Sequence, residues 1–184
     1  MVMLSMGDAV PIKEIYHGNI FNLYKHTLLS GAERDIIHHA GSVGIVPVIN
    51  DEIIFIRQHR EGCGTILEIP AGRTEAGEMP SETAIMELRE ETGYDAKKIE
   101  YLGHYFASPG YTTEKIHLFL AESLVESPLP NPDDEPVSIE RIGINEVAYK
   151  IANGDFNDAK TALGALLAIQ RIGLRKMIQS GDGA

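Results

Sequence analysis

Three carboxylates, Glu87, Glu90 and Glu91, stand at positions i, i+3 and i+4 of a stretch whose pattern is helical. At about 100° per residue these positions share one stripe roughly 100° wide. Side by side the acids repel, by about 0.2–0.5 kcal/mol per helical pair. A divalent cation that prefers oxygen donors would remove that penalty. The chemistry on offer is therefore the holding of a hard metal ion; the plain alternative is a solvated acidic face.

The elements that must position these acids are written around them. Residues 72–94 read GRTEAGEMPSETAIMELREETGY, a glycine-rich turn with Glu78 just before a helix that Gly93 closes. Ala84, Ile85 and Leu88 form an adjoining apolar stripe suited to packing on a sheet. Upstream, residues 44–50 (GIVPVIN) and 53–56 are apolar β runs separated by the turn pair Asn50-Asp51. The second run continues into Arg57, Gln58, His59 and Arg60, whose guanidiniums have the fork geometry that grips diphosphates. A short strand over 66–69 delivers Glu68, Pro70 and Ala71 into the turn.

Beyond the helix, strands are expected over 99–107, 116–122 and 139–144, with Ser108-Pro109-Gly110 as a turn. Residues 127–136 (SPLPNPDDEP) carry four prolines and a dense acid cluster, which excludes a helix or central strand and predicts a loop. A short helix over 145–152 precedes a last one, which Asp158 can N-cap. Leu163, Leu166, Leu167 and Ile169 give that last helix an apolar face for packing on the sheet. Residues 12–40 read as an antiparallel hairpin, too small to be stable alone. His38 and His39, adjacent in a strand, point to opposite faces and cannot share a metal.

At 184 residues the chain is long enough for one ordinary domain with a small extension. A formal net charge of −11 argues against a nucleic-acid partner, though bound metal and local arginines can reverse the field inside a pocket. The single Cys63 suggests a reducing compartment. The first ten residues lack the basic n-region and apolar run of a signal peptide, so a cytoplasmic protein is expected.

The stretch from Gly72 to Tyr94 resembles the Nudix box: Gly72, Glu78, Glu87, Leu88, Glu90, Glu91, Gly93 and Tyr94 match its pattern. Met86 departs from it, standing where the box has an arginine that pairs with a glutamate. Pro109, sixteen residues after Gly93, resembles the signature of the ADP-ribose pyrophosphatase subfamily. The RQHR string at 57–60, EIPAG at 68–72 and DAKT at 158–161 are similar to it too.

The resemblance implies an α/β (α+β) fold, an α/β/α sandwich with a mixed sheet over 41–184 and a dimerising antiparallel β extension over 1–40. It implies Mg²⁺-dependent hydrolysis of the diphosphate of ADP-ribose, with Mn²⁺ as a possible substitute. Glu87, Glu91 and the Ala71 carbonyl would be metal ligands, and Glu90 would take a second ion or orient the first. Arg60 and Arg57 would clamp the diphosphate, while Glu68 and the turn Ser108, Pro109 and Gly110 would hold the sugars. Glu135 in the late loop would be the general base, with Asp133 and Asp134 as rivals. The implied partner is a second copy of the chain, its hairpin exchanged and Phe21 stacking on adenine. Alternatives are another nucleotide-sugar substrate such as GDP-mannose, and a domain that senses ADP-ribose without cleaving it, an idea favoured by Met86.

Overall fold

The computed structural model describes residues 12–75, 77–130 and 138–181. By contacts the chain divides into two compact units. One comprises the described part of Met1–Ala40 with Phe106–Lys115, and the other Gly41–Tyr105 with Ile116–Ala184.

The smaller unit is a three-stranded antiparallel sheet, β1 (Ile12–His17), β2 (Asn22–Thr27) and β3 (Glu33–His38), in that order. A hairpin was the expectation, and the additional strand is β1. Its sequence IKEIYH lacks a clean alternation, and all six residues are exposed, so no buried face marks it. The Ser108–Gly110 turn belongs to this unit: Tyr111 N and Thr112 N both donate to Ser108 O, at 3.1 and 3.0 Å. It is tied to the end of β3, where Ile37 N donates to Tyr111 O at 2.7 Å and Thr113 N to Ile37 O at 2.9 Å. His38 faces His26, their Nε2 atoms 3.0 Å apart. Burial and the His26 charge hold His38 below its ordinary pKa.

The larger unit is built on a seven-stranded mixed sheet. Its strands are β4 (Ser42–Ile49), β5 (Glu52–Arg60), β6 (Gly64–Glu68), β7 (Ala71–Arg73), β8 (Tyr94–Phe106), β9 (Lys115–Glu126) and β10 (Ser138–Gly143). The central path runs β10-β5-β4-β9-β8, with β6 on β5 and β7 on β4. β4 and β9 are parallel, whereas β4 meets β5 through a tight turn at Asn50 and Asp51. Both turn residues adopt positive φ, 51° and 59°, the hand that a two-residue hairpin favours.

Three helices complete it: α1 (Pro80–Thr92), α2 (Ile144–Asn153) and α3 (Ala159–Ser180). Alternation along β4 separates two cores. Val43 and Ile45 join Ala84 and Leu88 of α1, whereas Val46 joins Val147 of α2 and Ala165 and Ala168 of α3. Helices thus cover both faces of the sheet, an α/β/α sandwich. No helix among the described residues is long and apolar enough to cross a membrane.

Candidate active site

The seat of α1 decides where its acids point. Ala84 and Leu88 are fully buried against Val43 and Ile45, which turns the adjacent stripe, Glu87 and Glu91, towards β7. Pro80 opens the helix, and Gly93 closes it in the left-handed region at φ 76°, its N donating to Arg89 O at 3.0 Å. Glu78 secures the approach: its Oε2 accepts from Glu75 N and from Thr83 Oγ1, each at 3.1 Å. That carboxylate is a fastening for the turn, set apart from the Glu87–Glu91 pair.

Glu87 and Glu91 meet the backbone of β7. A Cβ on Gly72 would collide with the Glu87 carboxylate, so the absence of a side chain there makes the space that Glu87 fills. Glu91 Oε2 accepts from Ala71 N at 2.8 Å. Burial pushes the Glu91 carboxyl up to about 8; the Ala71 amide opposes the rise and the neighbouring Glu87 adds to it. A backbone amide holds Glu91, Glu87 packs against the Gly72 backbone, and the Glu87 charge makes that of Glu91 costly.

That arrangement fits a hard divalent ion. Among the described residues no three His, Cys, Asp or Glu side chains converge as a metal-holding group, and an ion placed here would meet Glu87, Glu91 and nearby backbone oxygen. Mg²⁺ suits such a set, because it takes one or two carboxylates and keeps several waters. Zn²⁺ would draw on imidazole or thiolate donors. Glu90, half-buried on the same helix, lies one position before Glu91.

The cations are arranged less simply than their sequence spacing suggests. Arg60 holds Glu68 with both arms of its fork, Nε to Oε1 at 2.8 Å and Nη2 to Oε2 at 3.2 Å. Glu68 is 1% exposed, and Lys160 from the start of α3 also bonds its Oε2. Burial raises the Glu68 pKa, but Arg60 and Lys160 together outweigh it and hold the carboxyl below its ordinary value. Glu68 is thus a buried carboxylate on which two cations rest. Arg57 is placed differently from Arg60. Three residues from Arg60 on a regular strand, it points to the other face and donates from Nε to Glu140 Oε2 at 2.6 Å.

Met86 is 42% exposed, and Arg89 does not take over from the arginine it replaces. Arg89 Nε donates instead to Ser127 O at 2.9 Å, and Leu129 N donates back to Arg89 O at 3.3 Å. Arg89 thereby fastens the start of the proline-rich loop to α1. Glu135, Asp133 and Asp134 lie outside the described residues, and Ser108, Pro109 and Gly110 fall in the smaller unit.

Sequence reasoning missed Lys160 as a member of the charge cluster. The one signal was its place two residues after the N-cap Asp158, in the DAKT string. Asp158 Oδ2 accepts from Thr161 N at 3.0 Å and from Lys160 Nζ at 2.9 Å. Thr161 Oγ1 in turn accepts from Ile69 N at 2.9 Å, joining the start of α3 to the strand that leads into the site.

Two acids seated on glycine-bearing backbone, beside an arginine held on a buried carboxylate, describe a diphosphate-cleaving class of site. Residues 38–162 match the NUDIX domain model, and the protein belongs to the Nudix family. It is similar along nearly its whole length to the ADP-ribose pyrophosphatase of Bacillus subtilis, 35% identical over 187 residues that cover 97% of this chain and 99% of that one. It is also similar to the methanol dehydrogenase activator of Bacillus methanolicus, 34% identical over 152 residues covering 80% of each chain. A crystal structure of an ADP compounds hydrolase shares the fold, with a TM-score of 0.74 at 23% identity over 94% of both chains.

Proposed function

We propose that this protein hydrolyses the diphosphate bond of ADP-ribose to AMP and ribose 5-phosphate, with Mg²⁺ as cofactor and Mn²⁺ as a substitute. The observation that carries this reading is the half-buried Glu87–Glu91 pair seated on Gly72 and Ala71. The near full-length similarity to an ADP-ribose pyrophosphatase supports the choice of substrate.

Glu87, Glu91 and the Ala71 carbonyl hold the ion, and Glu90 orients that set or takes a second ion. A divalent ion held by these residues would supply a water of lowered pKa and charge neutralisation on the diphosphate. Arg60, its fork fixed on Glu68, presents a cationic edge to the phosphate oxygens. Glu135 takes the proton from the attacking water. The turn at Ser108, Pro109 and Gly110 contacts the sugars, and the three-stranded extension pairs two copies into a cytoplasmic homodimer. Arg57 serves at most from the periphery, given its pairing with Glu140.

A sensing domain that binds ADP-ribose uncleaved is the second reading, and the exposed Met86 in place of an arginine favours it. Product analysis with Mg²⁺ across ADP-ribose, GDP-mannose, NADH and diadenosine polyphosphates separates these cases. AMP released from ADP-ribose supports the hydrolase; tight binding without turnover supports the sensor.

A further inference from the structure

Glu68 is a buried anion shared by two cations, and the sharing is unequal. Arg60 Nε takes Oε1 at 2.8 Å, whereas Oε2 is divided between Lys160 Nζ and Arg60 Nη2, the latter at the longer distance of 3.2 Å. Lys160 is itself fixed by Asp158, which caps α3 through Thr161. Arg60 and Glu68 also act on the neighbouring Glu91 carboxyl, Arg60 lowering its pKa and Glu68 raising it.

We infer that Lys160 is a positioning residue: by drawing on Glu68 Oε2, it limits how tightly Glu68 holds Arg60 and so sets the guanidinium for a diphosphate. The argument is electrostatic. A buried carboxylate with one cationic partner gives that partner its whole charge, and the pair closes to a full bidentate fork. With Lys160 present, the negative charge on Oε2 is divided, and the Nη2 bond to it is the longer arm of the fork at 3.2 Å. The Arg60 side chain is 40% exposed, against 16% for Lys160, so Arg60 is the cation that an incoming phosphate meets. Lys160 acts through its bond to Glu68.

The placement has a second consequence. Lys160 and Thr161 are consecutive, and Thr161 Oγ1 accepts from Ile69 N. The start of α3 therefore fixes both the charge on Glu68 and the backbone one residue later, on the way to Ala71. One helix terminus sets the phosphate clamp and the backbone that approaches the metal ligands.

This inference rests on the reading of the site as a diphosphate hydrolase but not on ADP-ribose as its substrate. The test is calorimetric binding of inorganic pyrophosphate at fixed Mg²⁺, which needs the diphosphate subsite and no nucleoside. Lys160→Met is expected to weaken pyrophosphate by about tenfold, the scale of one charge-assisted hydrogen bond. Lys160→Arg should restore most of it. In a Glu68→Gln background, where there is no carboxylate charge to divide, Lys160→Met should cause no further weakening. That double variant buries a neutral pair, and its melting temperature checks that it folds.

Equal weakening by Lys160→Met in both backgrounds would mean that Lys160 touches the anion itself, and would overturn the inference. So would a lowered melting temperature with unchanged pyrophosphate affinity, which is what a purely structural role produces. Wild-type protein that does not bind pyrophosphate would overturn it as well. If pyrophosphate behaves as expected but ADP-ribose is not hydrolysed, the substrate assignment fails and this inference stands.

Discussion

Glu87 lies against Gly72 so closely that the glycine's missing side chain is the space its carboxylate occupies. The helix that carries the acids and the strand that carries Ala71 and Gly72 are thus keyed to each other at a single atom position.

Gly72→Ala should therefore displace Glu87 while leaving the cores of the sheet untouched. The expected outcome is a loss of Mg²⁺ affinity and a fall in turnover of about 10²-fold, the usual cost of misplacing a catalytic group by an ångström. A Mg²⁺ titration of activity checks it; an unchanged titration would show that Glu87 is free to move without consequence.

Glu91 makes metal binding pH-dependent. Its folded pKa of about 8 lies above the ordinary 4.5, so in the metal-free protein this group's contribution to stability is complete below 4.5 and is lost as pH rises through 8. A divalent ion needs the carboxylate and must displace that proton. Mg²⁺ should accordingly bind more tightly as pH rises from 6 to about 8. Calorimetry in buffers of different ionisation enthalpy should detect a released proton, and Glu91→Gln should abolish it. Proton-neutral binding in wild type would contradict this.

Glu68 has the opposite sign. Its folded pKa is held below 4.5, so its contribution is present above 4.5 and is lost as pH falls through the lower, folded value. Glu68→Gln should destabilise the protein near pH 7, by about 3–5 kcal/mol for breaking a buried ion cluster on one side. Urea denaturation should show the gap between wild type and variant narrowing below pH 4.5. A gap that is constant with pH would mean that the charge on Glu68 contributes nothing.

Met86 stands where an arginine would pair with a box glutamate, and its exposure leaves room for the longer side chain. Met86→Arg should raise Mg²⁺ affinity and turnover by a few-fold, in line with one partly exposed charge pair. If both stay as they were, no orienting pair is missing from this protein.

How much of this was legible before the structure depends on how local each signal is. The Glu87–Glu91 spacing, the apolar stripe of α1 and the Asn50-Asp51 turn act over a few residues, and each is where its pattern places it. β1 and the three-residue β7 carry no periodic pattern, because one is wholly exposed and the other is too short to alternate. The role of Glu68 was out of reach for a different reason. Its partner Lys160 is 92 residues away, and a carboxylate's spacing in sequence does not reveal which distant cation closes on it. The faces of Arg57 and Arg60 were readable from strand period alone, since residues three apart on a strand diverge.

The central claim is that the Glu87–Glu91 pair on β7 supports metal-dependent cleavage of a nucleoside diphosphate sugar. It is tested most directly by following AMP release from ADP-ribose with Mg²⁺ in wild type and in Glu91→Gln. The account predicts AMP and ribose 5-phosphate from wild type, none after chelation, and turnover in Glu91→Gln lower by at least about 10³-fold. Cleavage that survives both chelation and Glu91→Gln would contradict it.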